Sequence, residues 1–242
     1  MSILLAVDGS SYSEAEAALV AGIAWPAGAS VCVLVVVPGR FVHRLPKDFD
    51  LRKASLCEPM AVVLKGIRRL ERTLQSASDS QRCAVVGAGP LGNLCAQVLA
   101  LRGHQVTVFD RNPRRLEYFS DLKISGSNDL TQLYEYDVLV EVTGDPDALD
   151  VILHQSPAGA TILLLGLPYA HRQFTFEKIV AFDKTVVGSV GSSAKDFEDA
   201  ITLLPQLETT PFTEKILPLS EFMKAWELAR THKYLKLILK IS

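Results

Sequence analysis

Residues 85–92 are Val-Val-Gly-Ala-Gly-Pro-Leu-Gly, an apolar strand that runs directly into a G-x-G-x-x-G turn. Residues 93–101 have the composition of a helix, and a second apolar strand, 105–109, ends on Asp110. Strand, glycine turn, helix, strand and terminal acid in this order form the pattern of a dinucleotide-binding βαβ unit. The sequence therefore predicts a parallel α/β fold with a phosphate-bearing ligand at the glycine turn.

Each glycine of this turn has a separate steric role. Gly87 permits the tight turn, Gly89 lets a pyrophosphate approach the backbone, and Gly92 lets the helix pack closely on the strand. Pro90 and Leu91 begin the helix, whose unpaired N–H groups and positive dipole end favour phosphate. These five residues are the predicted phosphate-binding part of the site.

Asp110 lies 18 positions after Gly92, where an acid accepts hydrogen bonds from the adenosine ribose. Its carboxylate would repel a 2′-phosphate, so we expect NAD as the cofactor, with NADP as the less favoured choice. Arg111, Arg114 and Arg115 leave an alternative open, because one of these guanidinium groups could stack on the adenine or tolerate a phosphate. The other interpretation of these arginines is a solvated basic turn.

Strands and helices alternate from residue 82 onward, which predicts a doubly wound parallel sheet, the Rossmann arrangement. The predicted strands are 83–87, 105–110, 137–142, 160–166 and 184–188. The predicted helices are 90–102, 112–119, 146–154 and 194–206. A strand near 213–217, a helix at 220–231 and a strand near 235–240 follow.

A shorter pattern precedes this domain. A strand at 3–7, a helix at Glu14–Ala24 and a strand at 30–37 predict a β-α-β unit. A long helical stretch, 51–74, follows, and Pro59 is a candidate for its beginning. We therefore divide the chain into a β-α-β unit at 1–37, a connector with a long helix at 38–77, and a dinucleotide-binding domain at 78–242.

Composition excludes several functional classes. The 242 residues carry a net charge of −2, which gives no electrostatic argument for nucleic acid or an anionic membrane as partner. The apolar runs are strand-length and no signal peptide is visible, so we expect a cytoplasmic protein without a membrane span. The four cysteines show no zinc or disulfide spacing, and we expect Cys32, Cys83 and Cys95 to be buried thiols.

From about residue 37 to its end the chain resembles the medium-chain alcohol dehydrogenase family, and most of all its sorbitol, threonine and glucose dehydrogenases. The resemblance rests on motifs that follow one another in the family's order: Leu45-Pro46, Cys57-Glu58-Pro59-Met60-Ala61-Val62, the glycine turn, Val142-Thr143-Gly144, Leu165-Gly166, Val187-Gly188-Ser189 and Asp196-Phe197. It implies an NAD(H)-binding domain that takes part in hydride transfer with a small alcohol or carbonyl substrate.

The resemblance also implies roles for strand ends. Thr143 and Gly144 would lie near the nicotinamide ribose, and Leu165 and Gly166 along the nicotinamide ring. The strand 187–189, with Gly188 and Ser189, would help to orient that ring. In the family an edge strand like 185–190 pairs with its twin in a second subunit, which implies a homodimer.

The zinc-binding motifs of the family's catalytic domain have no counterpart in this sequence, so we expect no metal site and no zinc. Glu58 is the one weak catalytic candidate, because an acid before this proline lies at or near the zinc in related dehydrogenases. Its other interpretation is a helix N-terminal acid that the dipole stabilises. Residues 1–10 resemble the opening strand and turn of universal stress proteins.

Three hypotheses about function remain open at this point. The first is an NAD-dependent oxidoreductase without its own catalytic zinc. The second is a non-catalytic dinucleotide sensor or interaction module, and the third is a structural protein with a vestigial cofactor cleft.

Overall fold

The structure, a computed structural model, describes residues 2–7, 30–35, 42–74, 80–168, 173–174 and 176–240. The chain forms two compact units, Met1–Arg44 and Leu45–Ser242. The predicted helix Glu14–Ala24 lies outside the described residues. The predicted division of the chain at 37 and 77 stays a prediction.

The first unit contains two paired strands. β1 (Ser2–Val7) runs parallel to β2 (Ser30–Val35), with Ser2 opposite Ser30 and Val7 opposite Val35. These two strands correspond to the predicted strands at 3–7 and 30–37.

The second unit is built on a six-stranded parallel sheet. Its strands are β3 (Arg82–Val86), β4 (Gln105–Phe109), β5 (Ser125–Ser127), β6 (Val138–Glu141), β7 (Thr161–Leu164) and β8 (Thr185–Gly188). The order across the sheet is β5-β4-β3-β6-β7-β8. The first strand, β3, lies near the centre; β4 and β5 then extend the sheet on one side, and β6, β7 and β8 extend it on the other. The predicted doubly wound α/β fold is confirmed.

Nine α-helices lie in the described part of this second unit. They are α1 (Leu51–Ala54), α2 (Cys57–Glu71), α3 (Pro90–Leu101), α4 (Pro113–Leu116), α5 (Pro146–Gln155), α6 (Glu177–Val180), α7 (Ala194–Leu203), α8 (Thr210–Thr213) and α9 (Phe222–Arg230). Two further strands, β9 (Lys215–Pro218) and β10 (Leu237–Lys240), form a separate parallel pair.

Several predicted boundaries were wrong. The stretch 51–74 is two helices, because the N–H of Leu56 donates to the carbonyl of Lys53 in a turn that separates them. Pro59 therefore lies in the first turn of α2, where its missing N–H costs no helical hydrogen bond. The predicted helices 112–119 and 194–206 each end in a 3₁₀ turn, at Glu117–Phe119 and Leu204–Gln206.

Other elements were missed or misplaced. The strand expected near 213–217 begins at Lys215, and the short helix α8 precedes it. β5, α6 and the 3₁₀ helix Leu130–Glu135 were not predicted. The three residues of β5 are Ser-Gly-Ser, which lack apolar alternation, so pairing with β4 rather than local preference makes them a strand.

The sheet divides the core of the second unit into two layers. Cys83 and Val85 of β3 face a cluster that includes side chains of α2 and α3. Ala84 and Val86 of the same strand face a second cluster, which includes side chains of α5. This alternation along a strand that is buried on both faces is the expected arrangement for a parallel sheet covered by helices.

The cysteines of the second unit are buried free thiols. Burial raises the pKa of the Cys83 thiol to about 12, and it also raises the pKa values of Cys57 and Cys95. The predicted burial of Cys83 and Cys95 is confirmed, whereas the side chain of Cys32 lies outside the described part of the chain. Among the described helices, none combines the length and the apolar character that crossing a membrane requires.

A buried lysine joins α5 to the start of β8. Lys184 is 7% exposed, and its Nζ donates to the carbonyl oxygens of Leu153 and Ser156, each at 2.7 Å, and to Ser156 Oγ at 3.0 Å. These acceptors lie at the C-terminal end of α5, where carbonyl groups lack helical partners and the dipole attracts a cation. Burial lowers the pKa of Lys184, and the neighbouring Lys178 adds to this effect.

We expect Lys184→Met to lower the free energy of unfolding by about 2–4 kcal/mol, because buried carbonyl oxygens lose their donor. Denaturant unfolding followed by circular dichroism measures this change. The matched control is Lys224→Met, which removes an exposed lysine that contacts Glu221, and it should change stability by less than ~0.5 kcal/mol. Equal effects of the two substitutions would contradict the capping role of Lys184.

Candidate functional site

The carboxyl ends of the parallel strands meet at one edge of the sheet. β3 lies at the point where connections diverge toward β4 on one side and β6 on the other. Ligands of open α/β sheets bind in the crevice outside the strand ends at such a point. The turn 87–92 and the loops that begin at residues 110, 142, 165 and 189 follow these strand ends, and they hold the predicted cofactor residues.

The glycine turn has the close packing that its sequence predicts. A Cβ atom at Gly92 would lie 1.8 Å from the carbonyl oxygen of Gly87, so no side chain fits there. Gly87 has a φ of +112° and donates its N–H to the carbonyl of Phe109 at 2.7 Å. A Cβ at Gly89, in contrast, would meet no atom within 4 Å. The turn is thus tight beneath Gly92 and open above Gly89.

Asp110 joins the glycine turn to the loop after β4. Its Oδ2 accepts the N–H of Ala88 at 2.7 Å, and its Oδ1 accepts the N–H of Asn112 at 2.8 Å. Arg115 Nη1 lies 3.6 Å from Oδ2, whereas Arg111 is exposed. Because each carboxylate oxygen has two lone pairs, Asp110 retains capacity to accept a further hydroxyl group.

Glu141, at the end of β6, was not predicted from the sequence to be a site residue. It is 2% exposed, and its Oε1 accepts the N–H of Thr143 at 2.6 Å, the N–H of Gly144 at 3.0 Å and the hydroxyl of Thr143. One buried carboxylate therefore shapes the Thr143–Gly144 turn. The available signal was an acid at the end of an otherwise apolar strand, directly before Val-Thr-Gly.

The same carboxylate lies against the end of β7. A Cβ at Gly166 would lie 2.3 Å from Glu141 Oε2 and 2.3 Å from the amide nitrogen of Gly144. The structure thus brings the predicted pairs Thr143–Gly144 and Leu165–Gly166 into direct contact. Leu165 is 8% exposed, whereas Thr143 is exposed at the surface of the site.

The end of β8 carries an unsatisfied hydroxyl group. Ser189 donates its N–H to the carbonyl of Leu164 at 3.1 Å, which continues the sheet by one residue. Its Oγ is buried and has no hydrogen-bond partner among the described residues. Gly188 before it is exposed, with open space where a Cβ would lie. A buried hydroxyl without a partner is uncommon, and a ligand amide or hydroxyl could satisfy it.

Glu58 lies in the first turn of α2 and is exposed. Lys236 is a charged neighbour: burial lowers the pKa of Lys236, and Glu58 opposes that shift. This position agrees with the interpretation of Glu58 as a helix N-terminal acid. In the described ranges no group of three or more His, Cys, Asp or Glu residues is placed to hold a metal ion.

Three features of these strand ends suit the parts of a dinucleotide. The space above Gly89 suits a pyrophosphate, and the start of α3 would supply N–H groups, since Gly89 at its N-cap has no side chain to bind them. Asp110 offers a ribose acceptor at one side of β3, and Ser189 Oγ offers a polar group at the other. The candidate residues therefore lie along the strand ends from β4 to β8.

Comparison with known proteins matches the sequence and the fold of this chain to one family of dehydrogenases. The family described as "Glucose dehydrogenase C-terminus" matches residues 52–241. Glucose 1-dehydrogenase 2 of Vulcanisaeta moutnovskia is 30% identical over 224 residues, which cover 85% of this chain and 64% of that protein. Sorbitol dehydrogenase of Halalkalibacterium halodurans is 28% identical, over 85% of this chain and 63% of that protein. The chain thus spans less than two thirds of the length of these curated relatives.

A solved structure has the same fold. S. aureus TarJ, determined in complex with NADPH, superposes with a TM-score of 0.70 at 24% sequence identity. The match covers 82% of this chain and 66% of the TarJ chain.

We expect Gly92→Ala to lower the free energy of unfolding by at least ~2 kcal/mol, because its Cβ would overlap the carbonyl of Gly87. Gly89→Ala is the matched control from the same turn and should cost about 1 kcal/mol or less, since its Cβ meets open space. Denaturant unfolding of both variants measures the difference. Similar losses at the two positions would show that the turn is not packed as described.

Proposed function

We propose that this chain, which belongs to the zinc-type medium-chain dehydrogenase family, binds NAD(H) across the carboxyl edge of its six-stranded sheet. The observation that carries the proposal is the contrast within one turn. Gly92 admits no side chain, so α3 begins close to β3, whereas Gly89 faces space that a pyrophosphate can fill. Pro90 and Leu91 then place the first helical turn of α3 beneath the phosphates.

In this proposal Asp110 and its neighbours bind the adenosine half of the cofactor. Asp110 accepts the ribose hydroxyls in this proposal, and its buried negative charge favours NAD over NADP. Arg115 partly neutralises that charge, and Arg111 lies exposed beside it. Because TarJ was solved with NADPH, the phosphorylated cofactors belong in the same test.

In this proposal residues at the ends of β6, β7 and β8 bind the nicotinamide half of the cofactor. The Thr143–Gly144 turn borders the nicotinamide ribose, and Leu165 and Gly166 border the ring. Gly188 leaves room beside the ring, and the Ser189 hydroxyl is available to the carboxamide. Glu141 acts indirectly, because it holds the first of these turns through three hydrogen bonds.

The bound nicotinamide would supply hydride chemistry, with a small alcohol or carbonyl compound as substrate. This part of the proposal draws on relatives named glucose and sorbitol dehydrogenase, which are longer than this chain. Because these relatives are named as dehydrogenases, we favour hydride transfer over the alternative of a non-catalytic sensor or interaction module. Turnover can be tested by following the decrease in NADH absorbance when the protein is mixed with each of a set of carbonyl compounds.

Calorimetric titration of NAD, NADH, NADP and NADPH tests cofactor binding. We expect NAD(H) to bind more tightly than NADP(H), and Asp110→Ala to raise the Kd of NADH about tenfold or more, since a charge-assisted hydrogen bond is lost. Gly89→Ala should also weaken binding, although the protein remains folded.

The control for this titration is Asp121→Ala, which removes an exposed carboxylate from the same unit and should leave the Kd unchanged. Failure of all four dinucleotides to bind the wild-type protein would refute the proposal. Unchanged affinity in Asp110→Ala would refute the role of that residue.

The edge strand β8 further supports a homodimer as part of the proposal. Among the described residues it pairs on one side, with β7, and Val186 is 38% exposed beside the buried Val187. An apolar edge strand with free backbone groups favours pairing with another strand, and its twin in a second copy is the simplest choice.

We expect Val186→Lys to convert the dimer into a monomer, because a charge on this strand would be buried in the paired edge. Sedimentation velocity measures the change in mass. Val180→Lys is the control, since Val180 is 78% exposed on α6 and off the strand. A monomeric wild-type protein would contradict the proposed assembly.

A further inference from the structure

Helix α2 lies directly against the end of β7. A Cβ at Gly66 would approach Leu165 Cδ2 to 2.6 Å, so the helix backbone lies next to a residue of the proposed nicotinamide half. Lys65 and Arg68 occupy positions three apart on this helix and therefore share one side of it. Both side chains extend to the segment that follows β8.

Lys65 holds the beginning of that segment. Its Nζ donates to the carbonyl oxygen of Val190 at 2.7 Å. Val190 directly follows Ser189, and its own side chain is 76% exposed, so little apolar burial holds this residue in place. The bond from Lys65 therefore restrains the backbone one residue beyond Ser189, whose own N–H is held by the carbonyl of Leu164.

Arg68 holds the other end of the segment. It pairs with Oδ1 of Asp196, a residue that is 1% exposed in the first turn of α7. The other carboxylate oxygen, Oδ2, accepts the N–H of Ser193 at 2.7 Å and its hydroxyl at 2.6 Å. Arg68 thus compensates the buried charge that orders the end of the loop.

From these contacts we infer that Lys65 and Arg68 are positioning residues, which set the loop 189–193 in the geometry that the nicotinamide half of the site requires. The inference rests on the proposed function. The two cations restrain the loop at both of its ends, and neither is among the residues proposed to contact the cofactor. Their effect on binding is therefore local, confined to the nicotinamide and absent from the adenosine half.

This local effect separates positioning from general stabilisation. The Lys65 bond lies at the protein surface, where water can replace it, so its loss should change global stability little. A merely structural role would weaken all ligands alike. A positioning role would weaken NADH, which has a nicotinamide ring, and spare ADP-ribose, which lacks one.

The test is titration of Lys65→Met with NADH and with ADP-ribose. We expect the Kd of NADH to rise about fivefold and the Kd of ADP-ribose to stay within about twofold of wild type, as loss of one ordering hydrogen bond predicts. The fluorescence of bound NADH should also shift toward that of free NADH, because its ring is held less firmly. Lys65→Arg keeps a donor near Val190 and should recover most of the NADH affinity.

The matched control is Lys195→Met, the same change at an exposed lysine of α7 that pairs with Asp199. It should alter neither Kd. For Arg68, Arg68→Lys keeps a cation beside the buried Asp196, so the protein stays folded, and it should weaken NADH selectively as well.

Each outcome decides between the two proposals. If Lys65→Met leaves NADH binding unchanged, or weakens NADH and ADP-ribose equally, dinucleotide binding stands and the positioning role is overturned. If the wild-type protein binds neither NADH nor ADP-ribose, the proposed function fails and this inference fails with it.

Discussion

The contact between Gly92 and the carbonyl group of Gly87 is the constraint on which the site in the second unit depends. It brings the start of α3 so close to the end of β3 that even a methyl group would overlap the backbone. This approach places the positive end of the helix at the crevice between β4 and β6, with Gly89 open above it. Close packing at Gly92 thus positions the helix, and the positive end of the helix dipole then favours a negatively charged phosphate group at this place.

Three buried or nearly buried carboxylates order the loops around this contact. Asp110 accepts amide groups of the glycine turn and of the loop after β4, Glu141 those of the turn after β6, and Asp196 that of the loop after β8. Burying a carboxylate is costly unless N–H or O–H groups or a cation compensate it. At this edge of the sheet the compensating groups belong mostly to the loops, so satisfying each charge also defines a loop conformation.

Helix α2 connects the core layer around α3 to the loop that follows β8. Its buried side joins the core layer that includes α3, whereas Lys65 and Arg68 reach the loop after β8. At the other end of β8, Lys184 ties its first residues to the end of α5. The edge strand is therefore restrained at both ends by lysine contacts to backbone carbonyls, while no described strand pairs with its outer side, the side proposed to meet a second copy.

The sequence by itself determined the parallel α/β fold, the glycine turn and the place of Asp110, because each follows from short-range spacing and from steric rules at single residues. The family motifs likewise located the strand ends at 143–144 and 165–166. Only the tertiary structure showed that residues 125–127 form β5, that Glu141 contacts the ends of two strands, and that side chains of α2 restrain the loop 189–193. The physical reason is separation along the chain: Lys65 and Val190 are 125 residues apart, and no local pattern announces a bond that exists only after the sheet and its helices have packed.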